Sequence, residues 1–279
     1  LLREINENKG RVSLLYGITG SGKTSVFMKL IKHVVNLGKS VIVMVPEISL
    51  TPQMISVFVD KFGRGIAVFH SGLSDRERMI QWKSVKDKSA KIVIGTRSAV
   101  FAPVENLGLI IMDEEQEYTY KSESSPRFHA RDVAKFRAVE NKCLLLLSSA
   151  TPSVETFFYA QSGKYSLHKL TKRYGEAKLP EVSIVDMNKE LMSGNTSQIS
   201  NALLEQLRDN LKKNEQSIVL LNRRGYNTFA SCRKCSQVLS CPNCSISLIY
   251  HKANDRLMCH YCGYSVPFSS ECPSCHENQ

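Results

Sequence analysis

The stretch VSLLYGITGSGKTSVFMKLIKHVV, residues 12–35, decides the fold. VSLLY is a short apolar run that reads as a buried strand, and a glycine-rich loop follows it from Gly17 to Gly22. Beyond Lys23 the apolar residues Val26, Phe27, Leu30, Ile31 and Val34 recur at three- and four-residue intervals, which predicts an amphipathic helix. Working outward, the apolar run recurs as VIVMV at 41–45, IAVFH at 66–70, KIVIG at 91–95, LIIMD at 109–113 and LLLLS at 144–148. Helical patterns follow Thr51, Asp75 and His129. Strands separated by helices mean parallel βαβ units, so an α/β fold with a doubly wound parallel sheet is expected over the first 150 or so residues.

The pattern restarts near Leu179 with VSIVD at 182–186, a polar stretch MSGNTSQ, a helix near Ile199 to Leu211 and the run SIVLL at 217–221. This predicts the start of a second, partial α/β lobe that is interrupted by a cysteine-rich segment. The sequence ends at Gln279 before that lobe's sheet is completed, and it opens on Leu1 without a charged-then-apolar leader. Both observations fit a piece of something longer that is not secreted. The expected organisation is a first lobe over 1–175, the start of a second lobe over 176–231 and the cysteine segment over 232–279.

Composition narrows the classes further. The 279 residues are 42% hydrophobic and 23% charged, a balance that suits a globular protein and excludes a disordered or fibrous one. No apolar run approaches the roughly 20 residues needed to cross a bilayer, so no membrane partner is expected. Lysine and arginine number 37 against 26 acidic residues, and the net charge of +11 suits a polyanion. Only six of those basic and three of the acidic residues lie after position 220, so the surplus is spread rather than held in a tail.

GITGSGKT at 17–24 satisfies GxxxxGKT between a predicted strand and a predicted helix. Gly17, Thr19, Gly20, Ser21 and Gly22 form a loop whose backbone N–H groups can surround phosphate oxygens. Lys23 reaches the terminal phosphates, and Thr24 offers a hydroxyl to Mg2+. A strand ending in DEEQ at 113–116 supplies the acidic partner. Asp113 is read as the second Mg2+ ligand and Glu114 as the residue that orients and deprotonates the attacking water. Acidic residues at a strand end are commonly only solvated, and the phosphate loop upstream is what reverses that reading here. Between Glu114 and Ala134, the aromatic side chains Tyr118, Tyr120, Phe128 and His129 alternate with Lys121, Arg127 and Arg131. Such interleaving offers stacking surfaces for bases and charges for the phosphates of a single strand.

GITGSGKT, DEEQ and SATPS at 149–153, in this order, resemble the nucleotide site of superfamily 2 helicases. VPEISLTPQM, GTRSAVFAP, PRFHARD and LLNRRGY narrow the resemblance to the primosomal replication-restart helicases, over nearly the whole chain. The resemblance implies a RecA-like lobe and an ATP-dependent 3′ to 5′ DNA helicase that recognises stalled forks and reloads the replicative helicase. It implies single-stranded and forked DNA, primosome proteins, a helicase loader and single-stranded DNA-binding protein as partners, in a bacterial cytoplasmic, nucleoid-associated setting. By the same resemblance Ser149, Ala150 and Thr151 couple hydrolysis to movement, Thr96 and Arg97 contact the strand, and residues 118–131 link DNA binding to ATPase activity. Gln116 occupies a position where the family has histidine, which leaves a hydrogen-bonding catalytic-site residue that does not titrate. The family's amino-terminal DNA-binding domains and the arginine-bearing rest of the second lobe lie outside residues 1–279. The alternative is a nucleotide- and zinc-holding fragment that docks DNA or protein without turning ATP over.

Eight of the nine cysteines form four CxxC pairs late in the chain, a spacing that points to metal in a reducing compartment rather than to disulfides. Cys241, Cys244, Cys259 and Cys262 flank the hairpin-length SLIYHKANDRLM and read as one Zn2+ site. By elimination Cys232, Cys235, Cys272 and Cys275 share a second Zn2+, a nested arrangement that the resemblance supports. Sequential pairing, or His260 and His276 in place of a thiolate, stays open. Cys143 and Trp82, the only tryptophan, are read as packing residues, and His33, His70 and His251 are assigned no role.

Overall fold

Parallel strands buried on both faces need no polar alternation, and the six apolar runs of the first lobe are all strands of one sheet. The computed structural model describes residues 1–63, 65–173, 180–220, 232, 234–235, 237–251 and 254–277. The chain divides into two compact units, Leu1–Leu179 and Pro180–Gln279.

In the first unit β1 (Val12–Gly17), β2 (Ser40–Met44), β3 (Ile66–Phe69), β4 (Ile92–Gly95), β5 (Leu107–Met112), β6 (Leu144–Ser149) and β7 (Ser166–Leu170) lie in the order β3-β4-β2-β5-β6-β1-β7. Every ladder is parallel. The sheet is doubly wound, as expected. Ile42, Met44, Ile110 and Leu145 face one way, against α4 (Asp75–Lys86), α5 (Ala130–Glu140) and α6 (Val154–Gln161) through Val85, Ala134 and Ala160. Val41, Val43, Leu109 and Leu144 face the other way, against α1 (Leu2–Glu7), α2 (Lys23–Asn36) and α3 (Pro52–Phe62) through Ile5, Ile31 and Phe58. Truncating a fully buried residue such as Ile110 to Ala costs about 2–5 kcal/mol.

Local signals set the helix starts. Thr51 caps α3 ahead of Pro52, and Ser74 with Glu77 forms a reciprocal capping box on α4. Because every ladder is parallel, the segments that follow β1 to β6 all gather at the carboxyl edge of the sheet, where open α/β sheets place their ligands. Three elements of this unit carried no sequence signal that was recognised: α1, α6 and the half-exposed edge strand β7.

In the second unit α7 (Met187–Met192) and α8 (Asn201–Lys212) are followed by β8 (Ile249–His251), β9 (Arg256–Met258) and β10 (Ser265–Pro267), which form a small antiparallel sheet. The helix expected near Ile199 to Leu211 is α8. The two expected strands are corrected: residues 182–186 and 217–220 are irregular, with Ile184 and Ile218 almost fully exposed. A strand is held by its ladder, and neither segment has a strand partner among the described residues. LLNRRGY lies outside the described residues from position 221 onward.

Candidate nucleotide site, nucleic-acid surface and zinc clusters

β1 delivers Gly17 to the carboxyl edge, and the loop turns through Gly20 (φ 77°) and Gly22 (φ 87°), a left-handed backbone that glycine adopts without strain. Gly22 caps α2 with no side-chain bond, so the first N–H groups of that helix point at whatever enters the loop. A Cβ on Gly17 would lie 2.6 Å from Ser21 Oγ, so the loop closes tightly on itself. Ser21 Oγ is buried without a hydrogen-bond partner. Lys23 Nζ donates to the Gly17 carbonyl at 2.9 Å and stands 3.8 Å from Glu114 Oε1. Thr19 and Thr24 are exposed at the loop and at the first turn of α2.

Asp113 and Glu114 stand just past β5, and the buried β6 lies between β5 and β1 with its two serines at the same edge. Ser148 Oγ donates to Asp113 Oδ1 at 3.0 Å. Burial raises the Asp113 carboxyl above its ordinary value and the charge of Glu114 raises it further, while the Ser148 hydroxyl and Lys23 pull it back. Gln116 Nε2 donates to Glu114 Oε2 at 3.1 Å, Ser149 Oγ donates to Gln116 Oε1 at 2.6 Å, and the Thr151 N–H donates to Ser149 Oγ at 2.8 Å. A continuous polar chain thus runs Lys23, Glu114, Gln116, Ser149, Thr151. Ala150 sits within its last link. Glu115, given no role from sequence, is fully buried and accepts from Ser153 N–H at 2.7 Å, Arg131 Nη1 at 2.9 Å and Thr156 Oγ1 at 3.0 Å.

The segment 118–131 is mixed. Tyr118 is 79% exposed, and Lys121 and Arg127 are exposed beside it. Phe128 is half-buried, edge-on to Phe101 with centroids 4.9 Å apart. Two expectations are corrected. Tyr120 is only 1% exposed and its hydroxyl donates to the Asp113 carbonyl at 2.6 Å, so it is a core residue with no ring face for a base. Arg131 spends its charge on Glu115 rather than on a strand. His129 caps α5, its Nδ1 accepting the Arg131 N–H at 3.2 Å, and burial together with the Arg131 charge pushes its pKa below 6.5. Thr96 is buried, while Arg97 Nη1 donates to the Thr119 and Lys121 carbonyls at 3.3 and 3.0 Å and so ties the end of β4 to this segment.

In the second unit, four equivalent turns present the thiols. In each the first cysteine N–H donates to the carbonyl five residues on: Cys232 to Gln237, Cys241 to Ile246, Cys259 to Tyr264 and Cys272 to Glu277, at 2.7–2.9 Å. CxxC with its following residues is thus a structural repeat, four times over. The turns bring Cys232, Cys235, Cys272 and Cys275 into one cluster and Cys241, Cys244, Cys259 and Cys262 into another, each with ligand atoms within 4.8 Å of one another. Sγ–Sγ separations of 3.5–3.7 Å exclude disulfides and come close to the ~3.8 Å edge of a tetrahedron with Zn–S bonds of about 2.3 Å. The nested pairing is therefore the observed one, and His260 and His276 stand outside both clusters.

A family model described as "DEAD/DEAH box helicase" matches residues 2–157, and one described as "PriA DNA helicase Cys-rich region (CRR) domain" matches residues 241–267. The chain belongs to the DEAD/DEAH box helicase family. Within it, the chain is 48% identical over 271 residues to Replication restart protein PriA of Bacillus subtilis (strain 168), covering 97% of this chain and 34% of the relative. It is 44% identical over 271 residues to Replication restart protein PriA of Synechocystis sp., covering 94% and 33%. The chain thus spans about a third of the length of these relatives. Among solved structures, the crystal structure of DUF1998 helicase MrfA matches 80% of this chain and 35% of that one, with a TM-score of 0.51 at 16% identity, which is a likeness of fold. No helix among the described residues is long and apolar enough to cross a membrane.

Proposed function

We propose that this chain is the ATP-driven lobe and zinc module of a 3′ to 5′ DNA helicase of replication restart, acting on single-stranded and forked DNA and assembling with primosome proteins. The observation that carries the reading is the polar chain from Lys23 through Glu114 and Gln116 to Ser149 and Thr151. It ties a phosphate loop to an acidic strand end and to a hydroxyl turn at one edge of the sheet. In this reading the loop N–H groups and Lys23 hold the ATP phosphates, and Glu114 takes a proton from the attacking water. Gln116 keeps Glu114 oriented and passes changes at the site to the Ser149–Thr151 turn. Thr24 and Asp113 are the residues that would hold Mg2+, whose charge neutralises the phosphates. They fit it, because Thr24 is exposed on the first turn of α2 and Asp113 stands against a second carboxylate with one side-chain donor.

On the DNA side, Tyr118, Lys121, Arg127 and Phe128 form the strand-facing surface, with Arg97 as the strut beneath it. Thr96 and His129 support it through backbone and cap. Residues 176–231 begin the second lobe in this reading, and the two four-cysteine clusters hold the zinc module together. The test places residues 1–279 in the matching third of the Bacillus subtilis relative and measures ATP turnover with and without single-stranded DNA. DNA should stimulate hydrolysis, and Glu114→Gln should lower the stimulated rate by about 10²–10⁴ while ATP affinity is kept. Hydrolysis by Glu114→Gln at the parent rate would remove Glu114 from the chemistry.

A further inference from the structure

A second cleft opens at the carboxyl edge, away from the phosphate loop. It has a volume of about 430 Å³ and lies beyond the ends of β3 and β4, where Thr96, Arg97 and Phe101 meet Arg78 and Trp82 of α4. Strands β2, β5 and β6 stand between β4 and β1, so at ~4.8 Å per strand the cleft lies roughly 19 Å from the phosphate loop. Its size suits one small ligand or one unit of a polymer.

Trp82 and Phe101 are large aromatic side chains left 38% and 55% exposed. Trp82 carries Lys86 Nζ over its ring, 5.0 Å from the centroid. Phe101 touches Phe128 edge-on, which makes the cleft continuous with the segment proposed to face DNA. Arg97 is a wall of the cleft and uses only Nη1 on the chain, leaving its other donors without a hydrogen bond among the described residues. Arg78 adds a half-exposed guanidinium whose contacts, with Leu73 O at 3.4 Å and Asp75 at 3.7 Å, are long. One acid, Glu47, lines the cleft against these two arginines. Exposed aromatic faces flanked by guanidinium groups are what a base and its phosphate together require.

We propose that this cleft is a base-stacking subsite for single-stranded DNA, with Trp82 as the platform, Phe101 as the opposite wall, and Arg97 and Arg78 as phosphate contacts. The proposal rests on the reading of the chain as a DNA-acting protein and adds to it a place where one base is held. Because the strand is gripped through a base face, any base is accepted and an abasic position is not.

The chain has one tryptophan, so its fluorescence reports this subsite alone. Residues 1–279 are titrated at low salt with a fluorescein-labelled oligo-dT to measure affinity by anisotropy, and with unlabelled oligo-dT to follow tryptophan emission. Oligo-dT should quench Trp82, while a fully abasic strand of equal length and ATP alone should not. Trp82→Ala should weaken oligo-dT binding by about 5- to 150-fold, equivalent to ~1–3 kcal/mol for one stacked base, and Trp82→Phe should recover most of it. Far-ultraviolet circular dichroism confirms that both variants keep the fold. Oligo-dT binding with unchanged emission and an unaltered Trp82→Ala affinity overturns the subsite and leaves the wider DNA reading standing. Quenching by ATP alone or by the abasic strand also overturns it. Failure of the wild-type chain to bind oligo-dT at all overturns the DNA reading itself, and the subsite with it.

Discussion

Glu115 shows how a residue without a role in the chemistry can hold the site together. Its carboxylate is fully buried and is satisfied by Arg131, Ser153 and Thr156, which stand at the starts of α5 and α6. Breaking a buried pair by removing one partner typically costs about 3–5 kcal/mol, because the other charge is left without compensation. Glu115→Ala or Arg131→Ala should therefore lower the melting temperature of the first unit by several degrees, whereas Tyr118→Phe, on an exposed ring, should leave it unchanged; thermal unfolding followed by circular dichroism distinguishes them. His129 gives a pH signature. Its pKa is lowered below 6.5, so just below that pH the native state holds fewer protons than the unfolded chain, and stability rises with pH through the window between the lowered value and 6.5. Acidification should destabilise α5, and His129→Asn, which can still cap the helix but does not titrate, should flatten the slope of melting temperature against pH between about 5 and 7. Sequence made Lys23, Asp113 and Glu114 legible because each belongs to a contiguous motif whose spacing dictates its chemistry. Tyr120 and Arg131 were misread for the opposite reason. An aromatic or a cation in an interleaved segment shows its type but not its depth, and burial there is decided by what Asp113 and Glu115 offer from another strand.

At the scale of elements, strands buried on both faces announced themselves by composition, and helix starts by their caps. β7 did not, since an edge strand carrying His168 and Lys169 alternates too weakly to stand out from a loop. The expected strands are irregular over the described residues 182–186 and 217–220, because apolar β-branched runs state a preference that only a neighbouring ladder can realise and none is found among the described residues. In the cysteine segment the spacing located the knuckles, since turn geometry is local and each CxxC builds its own, while which pairs share a cluster is set by the fold. Among the described residues the apolar cluster of that segment buries only Cys241, Leu248, Leu257 and Cys259, too little to fold on hydrophobic burial alone. Metal binding would then supply the folding energy, on the order of 10 kcal/mol or more for a structural zinc. Protein prepared without chelator should contain two zinc ions per chain by elemental analysis. Chelation should unfold residues 232–277 and leave amide protection of β1 to β6 intact; a single zinc per chain, or loss of protection throughout the sheet, would contradict this.

For the whole molecule, a basic surplus of +11 spread along the chain and a carboxyl edge shared by all seven strand ends of the first unit's sheet suit the proposed ATP-driven role on a polyanion. In the proposed reading ATP and DNA act at separated places on that edge: the phosphate loop follows β1, and the proposed strand surface gathers around β4 and the segment after β5. Their separation gives the polar chain through Gln116 something to transmit. Gln116 in that chain holds both Glu114 and Ser149 without a titratable group, so the coupling it carries should not change between pH 6 and 8, as ATP turnover of the chimera across that range would show. All of this depends on nucleotide occupying the Gly17–Thr24 loop in front of Glu114. Calorimetric titration of residues 1–279 with ATP and Mg2+ tests that most directly. The wild-type chain should bind one nucleotide, Glu114→Gln should bind with equal or greater affinity because it releases Lys23, and Lys23→Ala should lose at least about tenfold, ~1.4 kcal/mol. Binding by Lys23→Ala that matches the wild type in affinity and stoichiometry would contradict the account.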